Sequence, residues 1–316
     1  HKAFIILSIP QYEETFLPNF RNGDVVVLYE RNNGTDNVTN KMVFKGNIES
    51  ITDNELRIRL RAAQQNPLVF PENSRYAVEH DTMDTTFRSM YLGLSSFMDA
   101  NPERRELLLG QRPPRFDMAY EDRIARTTDD FERVALKAEA ACDYFLLVGP
   151  PGTGKTSRAL RRMVEHFYAC PSTQVLLLAY TNRAVDEICR SLSAILPQVD
   201  YIRVGSELSC DARFRKHLLE NVLAECNNRR EVNIRMADCR IYVGTVASIA
   251  SKPELFKLKH FDVAIVDEAT QILEPQLLGI LCARFKDGRN GIGKFILIGD
   301  HKQLPAVVLQ SNEQSE

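Results

Sequence analysis

No apolar run in these 316 residues approaches the ~20 that a membrane-spanning helix needs, so a chain that crosses a bilayer on helices is excluded. The first nine residues, HKAFIILSI, are largely apolar, but no small-residue cleavage site follows them and no secretory signal is expected. Glycine and proline are sparse, at 15 and 14. With 44% hydrophobic and 26% charged residues beside them, a collagen-like, low-complexity or disordered chain is excluded as well. Net charge is nearly absent: 40 Lys and Arg stand against 42 Asp and Glu, leaving −2. No global field then draws nucleic acid, and any such binding rests on local basic surface. C-x-x-C does not occur. The seven cysteines, Cys142, Cys170, Cys189, Cys210, Cys226, Cys239 and Cys282, are odd in number and widely spaced. They read as small buried side chains in a reducing compartment (cytoplasmic, or nuclear in a eukaryote), and not as zinc or iron–sulfur ligands.

What is present changes character near residue 115, and the length predicts about two domains. Asp24–Tyr29, Lys41–Ile51 and Glu55–Arg61 read as strands. Turn residues Asn32, Asn33, Gly34 and Asp36 follow the first, and Thr52-Asp53-Asn54 joins the other two. The third alternates, with Leu56, Ile58 and Leu60 on one face and Arg57, Arg59 and Arg61 on the other. One face should be buried and one wet. Those arginines fall ~6.6 Å apart, near the phosphate spacing of an extended strand, with Lys41 and Lys45 on the neighbouring strand. They form either a nucleic-acid grip or a solvated face with no ligand. Several short strands in succession predict a small barrel. From about Thr85 the pattern turns helical, with Phe87, Met90, Tyr91 and Leu94 on one face, and a second helix is expected over Glu103–Leu109. Gln111-Arg112-Pro113-Pro114 reads as a linker. The expected division is therefore 1–115 for a barrel with a helical stalk and 116–316 for a second domain.

Past residue 130 the strands become continuous apolar runs: Tyr144–Val148, Val175–Ala179, Arg240–Val243, Phe261–Val266 and Lys294–Ile298. Helical stretches separate them. This pattern predicts a parallel α/β sheet covered on both faces, with ligands at the carboxyl ends of the strands. After the first run, Gly149-Pro150-Pro151-Gly152-Thr153-Gly154-Lys155-Thr156 matches G-x-x-x-x-G-K-[ST] between a strand and a helix predicted over Ser157–Tyr168. The glycines let backbone N–H groups crowd a polyphosphate, so the nucleotide-binding set runs from Gly149 through Ser157. Lys155 should neutralise the β- and γ-phosphates, and the Thr156 hydroxyl should ligate Mg²⁺. After the fourth run, Asp267 is placed to hold the metal and Glu268 to take a proton from the attacking water. After the fifth, Gly299-Asp300-His301-Lys302-Gln303-Leu304-Pro305 places Gln303 to sense the γ-phosphate or orient that water. After the second and third, Thr181, Asn182 and Thr245 stand at helix N-termini, where they either cap the helix or hold a nucleic-acid phosphate.

In this order, GPPGTGKTS, LAYTNRAVDEI, VGTVAS, VDEATQ and IGDHKQLPA resemble the first motor half of superfamily 1 helicases. The resemblance is strongest to the 5′-to-3′ group that includes the RNA-decay helicases and the replication helicase–nuclease, and its motifs span residues 149–306. It implies a RecA-like P-loop sheet with helices on both faces, preceded by a small β-barrel and a helical stalk. It implies ATP and Mg²⁺ as cofactors, with Lys155, Thr156, Asp267, Glu268 and Gln303 serving hydrolysis. Thr181, Asn182 and Thr245 would touch the nucleic-acid backbone, and the barrel would help grip the strand. The implied partner is single-stranded nucleic acid, DNA ahead of RNA, moved along by a monomer with no membrane role. Two positions depart from the family. A Gln that reads adenine is usual before the first strand, and at that spacing this sequence has Phe131, within Asp129-Asp130-Phe131-Glu132-Arg133. Ala306 follows Pro305 where a second proline is common. The family's second motor half, with its arginine fingers, does not lie in this stretch, so a fragment that binds nucleotide and hydrolyses it poorly is expected. Two other readings stay open. One is a P-loop ATPase that remodels protein complexes and whose turnover ignores nucleic acid. The other is a binding module whose barrel docks a protein.

Overall fold

Alternation in Glu55–Arg61 and the continuous apolar runs beyond residue 130 mark two different kinds of sheet. The computed structural model describes residues 2–9, 20–52, 54–64, 66–71, 73–81, 85–195 and 197–303, and it divides into two units, 1–85 and 86–316. Leu304, Pro305 and Ala306, Asp53, and the side chain of Phe87 lie outside the described residues.

In the first unit β1 (Lys2–Ser8), β2 (Val25–Glu30), β3 (Val43–Ile51), β4 (Glu55–Gln64) and β5 (Tyr76–His80) form an antiparallel sheet in the order β1-β4-β3-β2-β5. β2, β3 and β4 are the three strands the sequence predicts; β1 and β5 are additional. The alternation of β4 is realised: Leu56, Ile58 and Leu60 are buried, while Arg59 and Arg61 are exposed and Arg57 half-buried on the opposite face. Among the described residues the edge strands β1 and β5 do not pair, so the ladder is open. Ile5 and Leu7 of β1 and Val78 of β5 nonetheless pack on one core with Val26, Ile48 and Ile58. Curling of the sheet thus gives it a barrel-like interior without closure.

In the second unit the helices are α1 (Thr85–Met98), α2 (Pro102–Leu108), α3 (Glu121–Arg126), α4 (Asp130–Ala140), α5 (Arg161–Ala169), α6 (Asn182–Ser193), α7 (Leu219–Ala224), α8 (Arg229–Asp238), α9 (Val246–Ala250), α10 (Glu254–Leu258) and α11 (Glu274–Leu281). They surround β6 (Tyr144–Val148), β7 (Val175–Ala179), β8 (Tyr201–Val204), β9 (Ile241–Thr245), β10 (Phe261–Val266) and β11 (Ile292–Gly299). The six strands are parallel, in the order β6-β11-β10-β7-β9-β8. On one face Met163, Val164, Val185, Ile188 and Leu192 from α5 and α6 are buried on the sheet. On the other, Val246, Ile249, Phe256, Ile280 and Leu281 from α9, α10 and α11 cover it. The sequence predicts five strands; β8 is the sixth. It has four residues and carries Arg203, which is 1% exposed and ion-paired with Asp186 of α6, so it does not show as an apolar run.

Three expectations about the stalk need correction. The division falls at Thr85/Thr86 and not near residue 115, because both stalk helices pack on the sheet unit. Gly93 of α1 lies so near α11 that a Cβ there would fall onto the Pro275 carbonyl, and Gly279 faces Gly93 across the same crossing. Arg104 of α2 is buried and donates to the carbonyls of Ile292 and Gly293 at 2.7 and 3.0 Å. Second, only part of the predicted apolar face of α1 is covered: Met90 is half-buried, while Tyr91 is 73% and Leu94 43% exposed, and the helix meets α11 through the Gly93 backbone, where no large side chain fits. Third, the Gln111–Pro114 stretch is tethered: Arg112 and Arg115 both donate to the buried Asp143 at 2.8–3.1 Å, just ahead of β6. Among the described residues no helix is long and apolar enough to cross a membrane.

Candidate active site

The register aligns the carboxyl ends of the strands. Val266 of β10 pairs with Leu297 of β11 and Leu178 of β7; Ala179 pairs with Thr245 of β9; Val148 of β6 pairs with Gly299 of β11. The residues that follow therefore stand along one edge of the sheet. The phosphate-loop strand β6 and the acid strand β10 are not neighbours, because β11 lies between them. The loop begins where Gly149 N–H donates to Gly299 O at 3.2 Å. Gly152 and Gly154 turn it with φ +77° and +84°, the left-handed region that a Cβ disfavours. Helix begins directly after, first as a wide turn over Lys155–Leu160 and then as α5. The N–H groups of that first turn have no carbonyl behind them, so they are free to meet an anion.

Lys155 Nζ donates to the carbonyls of Gly149 and Pro150 at 2.5 and 2.8 Å, and Thr153 Oγ1 donates to Pro150 O at 2.8 Å. Thr156 Oγ1 donates to Asp267 Oδ2 at 2.5 Å, joining the loop to the acid strand across 111 residues of sequence. Asp267 is 2% exposed. Burial pushes its carboxyl above the usual range, opposed by the Thr156 hydroxyl, the Glu268 N–H and the Lys155 charge. Glu268 is half-buried, and its carboxyl is raised by burial and then by the Asp267 charge, with Arg183 and Lys155 pulling the other way. Its backbone sits at φ +52°, the one positive value among the described non-glycine residues. Such strain concentrates where the surroundings fix a side chain for use.

Lys155, Thr156, Asp267 and Glu268 are thus brought together as the sequence predicts. Gln303 stands on the turn after β11, its N–H bonded to Asp300 O at 3.1 Å, and its side chain makes no direct hydrogen bond to that group. Thr181 caps α6, accepting from Ala184 N–H at 3.1 Å, and the buried Thr245 caps α9, accepting from Ser248 N–H at 3.0 Å. Asn182 opens α6 beside Thr181. In the first unit Glu49 takes Arg57 at 2.6 Å and Arg59 at 2.8 Å, and the Arg57 guanidinium also lies 4.0 Å over the Phe4 ring. The three arginines do share a face, but two of them are held by one carboxylate. Glu49 reaches them from a bulge between Ile48 and Ser50, a register slip that alternation does not reveal. Arg183, two residues after Thr181 at the same strand-to-helix junction, adds a positive charge that acts on Glu268 and that the motif pattern alone does not single out.

The phosphate loop, the acids and the strand-end caps all fall within residues 127–311, which a family profile described as an AAA domain matches in two segments, 127–238 and 227–311. The chain is similar to the DNA replication ATP-dependent helicase/nuclease JHS1 of Arabidopsis thaliana, at 27% identity over 94% of this chain and 22% of that protein. It is similar to the DNA replication ATP-dependent helicase/nuclease DNA2 of Homo sapiens at 28% identity, covering 78% of this chain and 23% of that protein. With DNA2 of Xenopus laevis identity is 37%, over 52% of this chain and 15% of that protein. The chain therefore spans less than a third of the length of these relatives. Among solved structures, the UvsW helicase from bacteriophage T4 aligns with a TM-score of 0.37 at 10% identity, over 58% of this chain and 61% of that one.

Proposed function

The chain belongs to the AAA-domain family, in the superfamily 1 helicase group that holds the replication helicase–nucleases, and from that premise we propose that it is the ATP-hydrolysing first half of a motor that travels as a monomer along single-stranded nucleic acid, DNA before RNA. The Thr156–Asp267 hydrogen bond carries the reading, since it ties a phosphate-binding loop to an acid strand at one point. Lys155, resting on loop carbonyls, is the cation at hand for the β- and γ-phosphates. The Thr156 hydroxyl and Asp267 carboxylate are hard oxygen donors in contact, a pair that fits Mg²⁺ with its remaining waters. Bound there, the ion would neutralise charge on the phosphates. Glu268, with its raised proton affinity, takes the proton from the attacking water, and Gln303 orients that water from the end of β11.

Thr181, Asn182 and Thr245 stand at the ends of the adjacent strands β7 and β9, where hydroxyl, amide and helix N–H groups suit backbone phosphates. Such contacts position a strand and carry no base code. The arginine face of the first unit contributes less than three free charges, because Glu49 offsets one of them.

ATP turnover of the full-length protein, with and without single-stranded DNA or RNA, tests the reading. Strand-stimulated turnover supports a translocating motor, and turnover indifferent to both strands would favour a remodeller of protein complexes. Lys155→Ala should abolish Mg-ATP binding in calorimetry, and unchanged affinity would remove the phosphate site itself.

A further inference from the structure

We propose that the base of the bound nucleotide is held by stacking on a Phe131–Arg158 platform and is not read along its edge, so that ATP, GTP, CTP and UTP bind this site alike. The inference rests on the phosphate-site reading above and adds to it the substrate class. Phe131 lies in the first turn of α4, and its ring tip is 3.4 Å from where a Cβ on Gly154 would stand, so the ring abuts the phosphate loop itself. The Arg158 guanidinium, one turn past Lys155, lies over that ring at 4.2 Å. Together they line an open cleft of about 140 Å³ with Asp129, Arg161, Arg162 and Glu165.

The other charged side chains of the cleft each have a partner nearby. Asp129 Oδ1 accepts the Glu132 N–H at 2.8 Å as the cap of α4. Arg162 is paired with Glu132 and Glu165, each at 3.0 Å, and Arg161 with Glu165 at 3.8 Å. No carboxamide lines the cleft among the described residues. Nucleobases differ in the donors and acceptors along their edges and share a π-face. An aromatic ring with a guanidinium stacked on it attracts that shared face, and stacking itself does not read the edge.

Calorimetry of the full-length protein with Mg²⁺ and each of the four triphosphates tests this, with inorganic tripolyphosphate as the base-free probe. The four affinities should agree within about fivefold, and each should exceed that of tripolyphosphate by about tenfold or more, the scale of one stacked base. Phe131→Ala should weaken all four about tenfold and leave tripolyphosphate unchanged, while Phe131→Tyr, which keeps the face, should behave as wild type. A preference for ATP over GTP near a hundredfold would overturn the proposal, as would nucleotides binding no better than tripolyphosphate. Absence of binding by every probe, tripolyphosphate included, would instead strike the phosphate-site reading on which it depends.

Discussion

At Glu268 the backbone holds φ +52° and ψ +36°, a conformation that costs a glutamate on the order of 1 kcal/mol or more. Its carboxyl is raised by burial and by Asp267, so the base is still protonated at a pH where an exposed glutamate has ionised. Glu268→Gln should keep nucleotide affinity while turnover collapses by ~10²-fold or more. Glu268→Asn, tolerant of the left-handed region, should melt no lower than wild type although turnover is lost. A melting temperature well below wild type would show that Glu268 is structural. The identities of Lys155, Thr156, Asp267 and Glu268 were legible in the sequence because fixed spacing implies a fixed loop. The strain at Glu268 was not, because nothing local demands it. Phe131 showed only as a missing glutamine, since the ring gains meaning from Arg158 and Gly154, which are remote in sequence.

Packing between helices rests on contacts that hydrophobic periodicity does not encode. α1 displays Tyr91 and Leu94 to solvent and meets α11 through Gly93. Gly93→Ala gains ~1 kcal/mol of helix propensity. It should still lose ~1–3 kcal/mol net, because the neighbour at that point is backbone and the helices must move apart. Ser95→Ala, exposed on the same helix, should be neutral to within ~0.5 kcal/mol in denaturant titrations. α4 and α5 are joined by His166, whose Nδ1 lies 3.2 Å from Glu139 and whose Nε2 lies 3.1 Å from Glu132. Glu139 and then Glu132 raise the imidazole above its ordinary value of about 6.5 in spite of burial. A folded value above the unfolded one gives stability that is full below about pH 6.5 and is lost as pH rises through the folded value. The melting-temperature gap between wild type and His166→Gln should accordingly be widest near pH 6 and narrow at about pH 9. The expected helices over Glu103–Leu109 and Ser157–Tyr168 appear close to their predicted bounds, since caps and apolar spacing are local signals.

For the whole molecule, five of the six parallel strands were legible as apolar runs, and their order was not, because order is set by where the crossovers return and not by any strand's composition. That order makes the last strand an interior one. Among the described residues β6 reaches the sheet only through β11, with Tyr144 paired to Phe295, and β10 takes β11 on its other flank. During synthesis the strand that leads into the phosphate loop therefore waits, without a ladder partner, until about 150 further residues have emerged. Closing so long a loop delays the final assembly, while β10, β7, β9 and β8 can already pair. A chain cut before Ile292 should keep a protease-resistant piece containing β7 to β10, release the segment around β6 to cleavage and bind no nucleotide. Pulse proteolysis of wild type during refolding should likewise show β6 acquiring protection last. Nucleotide binding thereby doubles as a report that translation has passed β11: a nascent chain has no assembled phosphate site before its sheet is complete.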